Sequence, residues 1–438
     1  SGPSLKKGRK SVEINLEGKN YRGSLKQSSS DGVPYWFIDC PEFFDREQLY
    51  GTADGDYPDN ALRFGFFCRA VLEMIKRLDF RPDVIHLQDW QTGFIPILLR
   101  TEYRHNPFFS SIATLLTIHN LGYRGLFPLE LLRQLNLPES VATPKGMEYF
   151  GDLSVLKGGI NYADVINTVS PTYCQEIQTP EQGHGFEGIL RNRTEDLHGI
   201  INGLDRRSWD PALDPALPTP YNAENLNGKR ACKRFVQKQL GLEIRHDVPI
   251  VAVISRLDQQ KGIDLIQQAW PQLLERDIQF ILLGSGDHET MAFWREQQQR
   301  YPQRASINLT FDEGLSRRIF AASDILLVPS RYEPCGLTQM IALQYGALPV
   351  VRRTGGLADT VIDVTQNPRS GYGFVFDNSD VTEMMSAIDR ALAIYPQRSR
   401  WLSLVKRGMG LDFSWTNSAT QYQELYTKAR NYRQMPAA

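Results

Sequence analysis

Short, continuously apolar runs recur along this chain, separated by longer stretches of helical period. Val84 to Leu87, Ile112 to Ile118, Val165 to Val169 and His198 to Ile201 form a first series, with helical pattern between them over stretches such as Asn60 to Leu78. A second series runs through Ile250 to Ile254, Phe280 to Leu283, Ala305 to Leu309, Ile325 to Val328, Leu348 to Val351 and Phe374 to Phe376. Strands buried on both faces between helices carry this pattern, so the alternation predicts parallel sheets. Ahead of both series, Ser11 to Glu17 and Asn20 to Leu25 alternate about Gly18-Lys19 and predict a β-hairpin, with a further strand over Tyr35 to Asp39.

A Pro-, Asp- and Asn-rich stretch from Asp210 to Pro220 interrupts the alternation and marks the predicted domain boundary. The expected organisation is a first doubly wound domain over 1–212, a second over 213–405, and C-terminal helices over 406–438 that pack back on the first. The length of 438 residues exceeds one ordinary core and suits two domains of roughly 200 residues. In such sheets, ligands bind beyond the carboxyl ends of the strands.

Composition narrows the partners. With 49 basic and 50 acidic residues the formal net charge is −1, so the chain carries no electrostatic footprint for nucleic acid or an anionic membrane. Cys40, Cys68, Cys174, Cys232 and Cys335 are scattered and lack C-x-x-C spacing, which argues against a disulfide framework or zinc site and for a reducing compartment. No apolar segment approaches the roughly 18 residues of a membrane span, and Ser1 to Lys10 has no signal-type apolar core. A soluble cytoplasmic protein is the expectation. Asp54-Gly55-Asp56 has the Asp-x-Asp form of some metal sites, but it lies in a Gly- and Asp-rich loop with no preceding apolar strand. A solvated turn, and no metal, is the reading there.

The chemistry concentrates in Arg331 to Gln339 and Arg353 to Thr360. Pro334 suits a first helical turn, which would leave the N–H groups of Cys335, Gly336 and Leu337 free to point at an anion, with Glu333 on the turn before them. Gly355-Gly356, after the strand ending at Val351, would let backbone approach a ligand before another helix begins. For either turn alone, Gly and Pro as plain strand-to-helix punctuation would suffice. The pair, with Glu333 between, suggests a nucleotide-sugar pocket.

Further stretches are Asp59-Asn60 with Arg63-Phe64, Asp89-Trp90 to Gly93, Thr117 to Tyr123, Gly183 to Gly188, Asn202-Gly203, and Arg256 with Gln260-Lys261-Gly262. With the two turns, they make the chain resemble the bacterial glycogen synthase and starch synthase family from about Tyr57 to Tyr426. The resemblance implies a GT-B fold, two Rossmann-like domains facing across a cleft, and a retaining glucosyltransferase that extends an α-1,4-glucan acceptor from an ADP-glucose donor without a cofactor. It implies catalytic roles for Glu333, His119 and Asp89. It assigns the nucleotide sugar to Arg256, Lys261, Asn202, Cys335, Gly336, Leu337, Thr338, Gly355 and Gly356, and the acceptor to Tyr57 and Trp90.

Residue chemistry supports these roles and leaves plainer ones open. Arg256 and Lys261 can neutralise a diphosphate leaving group in place of a metal, or be a solvated pair on a loop. His119, past the strand ending at Ile118, either touches the transferred sugar or caps the strand end. An exposed Trp90 suits stacking on pyranose rings, and a buried one packs on the next helix. Glu333 supplies the negative charge that an oxocarbenium-like state requires.

The family opens with a strand and a Lys-x-Gly-Gly-Leu loop facing the donor, and Lys6 to Lys10 do not match it. The expectation is that the natural start of the protein precedes Ser1 and that the chain as given has reduced activity. Gln88 and Gln91 stand where some members carry His. Competing readings are a GT-B relative with another nucleotide sugar or acceptor, and a non-catalytic glucan-binding relative.

Overall fold

In the computed structural model, residues 6–52 and 55–434 are described. The chain divides into two compact units: Ser1–Thr168, Ile177–His198 and Tyr422–Ala438 form one, and Val169–Glu176 with Gly199–Gln421 form the other.

The first unit opens with the expected hairpin, which is longer than its alternation indicated. β1 (Lys6–Leu16) pairs antiparallel with β2 (Lys19–Ser30), and β3 (Val33–Asp39) pairs with the other edge of β2. Val12, Ile14, Leu16, Tyr21 and Leu25 bury one face of this sheet against Phe66, Ala70 and Met74 of α1 (Asn60–Arg77). Asp54 lies outside the described residues; its neighbours Gly55–Asp56 pair with Gly51–Thr52.

A second sheet carries β4 (Val84–Gln88), β5 (Ala113–Ile118), β6 (Val165–Thr168) and β7 (Leu197–Gly199) in the order β7-β6-β5-β4, with β4, β5 and β6 parallel. Polar groups are threaded through it. His86 bonds Thr117 at 2.6 Å, Thr117 donates to Asn167 at 2.6 Å, and Asn167 donates to Tyr422 at 3.1 Å. In a buried setting each such group needs its partner, so the ladder fixes strand register.

After β6 the chain enters the second unit for the short helix α2 (Pro171–Glu176). The main sheet of that unit has β8 (Ile250–Ile254), β9 (Gln279–Leu283), β10 (Ala305–Asn308), β11 (Ile325–Val328), β12 (Leu348–Arg352) and β13 (Phe374–Phe376). Their order is β10-β9-β8-β11-β12-β13, all parallel, the doubly wound arrangement with its switch point between β8 and β11. Successive residues serve opposite cores: Val251, Phe280, Ile325, Leu327 and Val350 join one cluster, while Ala252, Ile281, Leu326, Val328 and Val351 join the other. That is why these strands read as unbroken apolar runs.

The cores are tied to the start of β11 by a buried ion pair. Lys233 Nζ donates to Asp324 at 2.7 Å and to the Tyr395 hydroxyl at 3.0 Å, and Asp324 also accepts the Ile250 N–H at 3.0 Å. Removing one partner of such a pair strands a buried charge and costs about 3–5 kcal/mol.

The units part at Gly199, ahead of the expected position at 212. Val169 and Leu204 pack into the core of the second unit, with Trp209 against it, and this holds Gly199 onward there. Of the C-terminal stretch 406–438, only residues from Tyr422 group with the first unit. The last helix, α7 (Trp415–Gln434), begins in the second unit, where Gly203 packs on Trp415 and Ser418 donates to Ile201 O at 2.6 Å. Numbering the helices between, the second unit carries α3 (Ile263–Leu274), α4 (Thr338–Gln344), α5 (Gly355–Thr360) and α6 (Val381–Ile394).

Candidate active site

In the second unit, the loops after β8, β11 and β12 lie at the carboxyl end of the sheet. After β8, Asp258 accepts the Lys261 N–H at 3.0 Å and closes a tight turn. The next residue, Gly262, has φ +70° and lies where a Cβ would sit 2.2 Å from Pro329 O, so only glycine lets this turn abut the β11 loop. Arg331 then staples the two loops, with a bidentate pair to Asp264 at 2.5 and 2.6 Å and a bond to Gln259 O at 2.9 Å. The consequence is that Lys261 Nζ meets both carboxylate oxygens of Glu333, at 2.9 and 2.7 Å, while Ser330 Oγ donates to Glu333 at 2.9 Å. Arg256, exposed, bonds Asp258 at 2.9 Å and Gln260 at 3.1 Å on the same loop.

The helix expected near Pro334 starts at Thr338 instead. Gly336, at φ +71°, cannot join a right-handed helix, so Arg331 to Leu337 form a loop. Gln339 holds that loop by donating to Cys335 O at 3.2 Å, Gly336 O at 2.7 Å and Thr360 Oγ1 at 2.9 Å. Cys335 is buried, a backbone hydrogen bond from Asn202 reaches its thiol, and burial pushes that thiol up to about 12.

The glycine pair packs against the same loop. A Cβ on Gly355 would lie 2.0 Å from Glu333 O, and one on Gly356 would lie 1.9 Å from Cys335 O. These glycines admit the neighbouring loop, backbone against backbone, and the Gly356 N–H donates to Glu333 O at 3.0 Å. The start of α5 is already supplied with an anion. Glu176, from α2, accepts from the Gly355 N–H at 3.1 Å and from Thr354 Oγ1 at 3.0 Å.

In the first unit, Asp89 follows β4 at φ +56°, a costly conformation for a residue with a side chain. Its carboxylate accepts the His119 N–H at 2.7 Å and a backbone bond from Asn120, and burial raises its pKa against the opposing pull of His119. The His119 ring is held by Gln88, whose Oε1 lies 2.7 Å from Nε2. Tyr57 has two guanidiniums within cation–π range, Arg46 at 4.8 Å and Arg63 at 5.1 Å from its ring. Trp90 takes the buried one of its two readings: the residue is 7% exposed and its ring packs against Phe64, Phe127 and the backbone at Gly125. Gly125 leaves room for the ring, and burial rather than a sugar-stacking face results.

Two further groups lie at or just beyond strand ends. Gln88 was visible only as a departure, although its place one residue before Asp89 at a strand end signals reach to the next strand's end. Phe311, 90% exposed just beyond β10, carries a signal in an aromatic at the carboxyl end of a strand. Among the described residues, no group of three or more His, Cys, Asp or Glu is arranged to hold a metal ion, and no helix is long and apolar enough to cross a membrane.

The parallel sheets of the two units, with this loop set, define a glycosyltransferase of the GT-B fold. The starch synthase catalytic domain family matches residues 4–192, and the glycosyl transferases group 1 family matches 237–403. A glycogen synthase of Syntrophotalea carbinolica is 51% identical over 93% of this chain and 84% of its own length. Glycogen synthase 2 of Geobacter sulfurreducens is 48% identical over 98% of this chain and 89% of its own. The catalytic domain of starch synthase IV from Arabidopsis thaliana, solved with ADP and acarbose, superposes with a TM-score of 0.92 at 37% identity, over 98% of this chain and 89% of that one. The chain belongs to the glycogen synthase and starch synthase family and is a glucosyltransferase.

Proposed function

We propose that the chain transfers glucose from ADP-glucose to the end of an α-1,4-glucan with retention of anomeric configuration. The observation that carries this reading is Glu333 held on its turn by Lys261 and Ser330, at the carboxyl end of a doubly wound sheet. A carboxylate fixed in advance costs no reorganisation when positive charge develops at the anomeric carbon. An ammonium has three donors, and Glu333 takes two of those on Lys261, leaving a third for a diphosphate oxygen. Arg256 supplies the second cation. The bond from the anomeric carbon to the diphosphate oxygen breaks, the acceptor hydroxyl attacks on the same face, and its proton passes to the departing phosphate. Gly336, Leu337 and Thr338 contact the diphosphate, and Phe311 stacks on the base.

In the first unit, Asp89 fixes the His119 backbone and Gln88 fixes its ring, and the imidazole contacts the transferred glucose. Tyr57 is assigned to the acceptor. The catalytic domain of Arabidopsis starch synthase IV was solved with ADP and acarbose, which supports this donor and acceptor class. The test is incorporation of radiolabel into glycogen from ADP-glucose and from UDP-glucose, side by side. Transfer from ADP-glucose at a rate well above UDP-glucose is expected, and transfer from neither donor would defeat the proposal.

A further inference from the structure

The eight-residue piece Val169–Glu176 comes from the first half of the sequence, yet it belongs to the second unit. It is pinned at both ends to the α5 segment. Near its start, Asp359 accepts from Ser170 Oγ, from the Thr172 N–H at 3.0 Å and from Thr172 Oγ1 at 2.6 Å. At its end, Glu176 accepts from the Gly355 N–H and from Thr354 Oγ1. The held backbone is the one that touches the Glu333 turn: Gly356 N–H donates to Glu333 O, and neither Gly355 nor Gly356 leaves room for a Cβ against that turn. An unbroken series of contacts therefore runs from Glu176 through Thr354, Gly355 and Gly356 to Glu333, and on to Lys261.

We infer that Glu176 is a positioning residue for the glucosyl transfer, acting through Thr354 and Gly355 to set the Glu333 turn. The inference rests on the catalytic reading of Glu333 given above. A tie that only stabilised the fold would end in the core. This one ends on the main-chain oxygen of Glu333, 3.0 Å from the Gly356 nitrogen, and misplacement of reacting groups by about 1 Å costs on the order of a hundredfold in rate. Glu176 itself touches no reacting atom, so its loss should appear in kcat and leave ground-state donor binding nearly intact.

The experiment compares wild type, Glu176→Ala, Glu176→Gln and Thr354→Val in the full chain, with kcat and donor KM measured for glucose transfer to glycogen and folding checked by circular dichroism and thermal melting. Glu176→Ala and Thr354→Val are expected to lower kcat at least about tenfold while donor KM moves less than about threefold. Glu176→Gln keeps an oxygen for the Gly355 N–H and an amide donor for the Thr354 hydroxyl, so it should stay within about threefold of wild type. Wild-type kcat in Glu176→Ala or in Thr354→Val overturns the inference, as does a rise in donor KM at unchanged kcat. If Glu176→Ala does not fold, Thr354→Val decides alone. A wild-type chain that transfers no glucose defeats the catalytic reading instead, which separates the two failures.

Discussion

Lys261 Nζ grips both oxygens of the Glu333 carboxylate, at 2.9 and 2.7 Å, across 72 positions of sequence. The Glu333 side chain is 8% exposed and that of Lys261 19%, so the two members are not equivalent when one is removed. Glu333→Gln leaves an ammonium that water can still reach, and the amide oxygen still accepts from it. We expect transfer to fall by at least about a hundredfold with the fold retained. Lys261→Ala leaves the more buried carboxylate without its cation and should destabilise the second unit by about 3 kcal/mol as well as lowering transfer. Thermal melts of both variants beside transfer assays check this; equal melting temperatures would contradict it.

Gly356→Ala should be among the most damaging small substitutions in the chain. The added methyl would meet Cys335 O at 1.9 Å, and both partners are backbone, so the Glu333 turn must move. A loss above about 2 kcal/mol in denaturant unfolding, with transfer nearly abolished, is the expected outcome. Gly188→Ala is the control. Nothing lies within 4 Å of its added Cβ in the helix Glu187–Asn192, and alanine there should stabilise by about 0.5–1 kcal/mol.

Arg256 and Phe311 are both exposed, so substitutions there should leave stability almost unchanged. Arg256→Ala is expected to cost about 2 kcal/mol of transition-state stabilisation through the leaving diphosphate. Phe311→Ala should raise donor KM by about tenfold with little change in kcat, as expected for lost stacking on the base. Steady-state kinetics against donor concentration distinguishes the two effects.

Stability should decline through mildly acid pH because of His86. Burial first, then the nearby His119, lowers its pKa from 6.5 to about 4. Its neighbours are the Tyr426 and Tyr422 rings and the Thr117 hydroxyl, none of which supplies a compensating negative charge. Between pH 4 and 6.5 the unfolded chain therefore binds more protons than the folded one, and stability rises with pH across that window. The contribution present above pH 6.5 and lost by pH 4 is about 3 kcal/mol. Urea unfolding of wild type and His86→Gln at stepped pH values should show a shallower acid decline in the variant; parallel curves would exclude His86 as the cause.

Much of the second unit was readable because its strands are short, apolar on both faces and bounded by Gly, Pro or Asp; Ile325 to Val328 was placed from its pattern alone. The Arg256, Lys261 and Glu333 loops were readable too, since each follows such a strand. Three features were not. The start of α4 was misplaced because Pro334 signals a helix start, while the positive φ of Gly336, which depends on tertiary contacts, delays it to Thr338. The sequence leaves Trp90 open between an exposed platform and a buried ring, because nothing nearby in sequence announces Phe64, Phe127 and Gly125 around it. Glu176 bears no local mark at all, since its partners Thr354 and Gly355 lie 178 and 179 residues away.

The polypeptide changes unit after Thr168, Glu176, His198 and Gln421. Neither compact body is therefore a contiguous gene segment. A chimera that took only Gly199–Gln421 from another parent would inherit a second unit whose short clasp, Val169–Glu176, came from the wrong protein. Recombination between relatives should succeed more often when that octapeptide and the closing helix travel with the halves they complete.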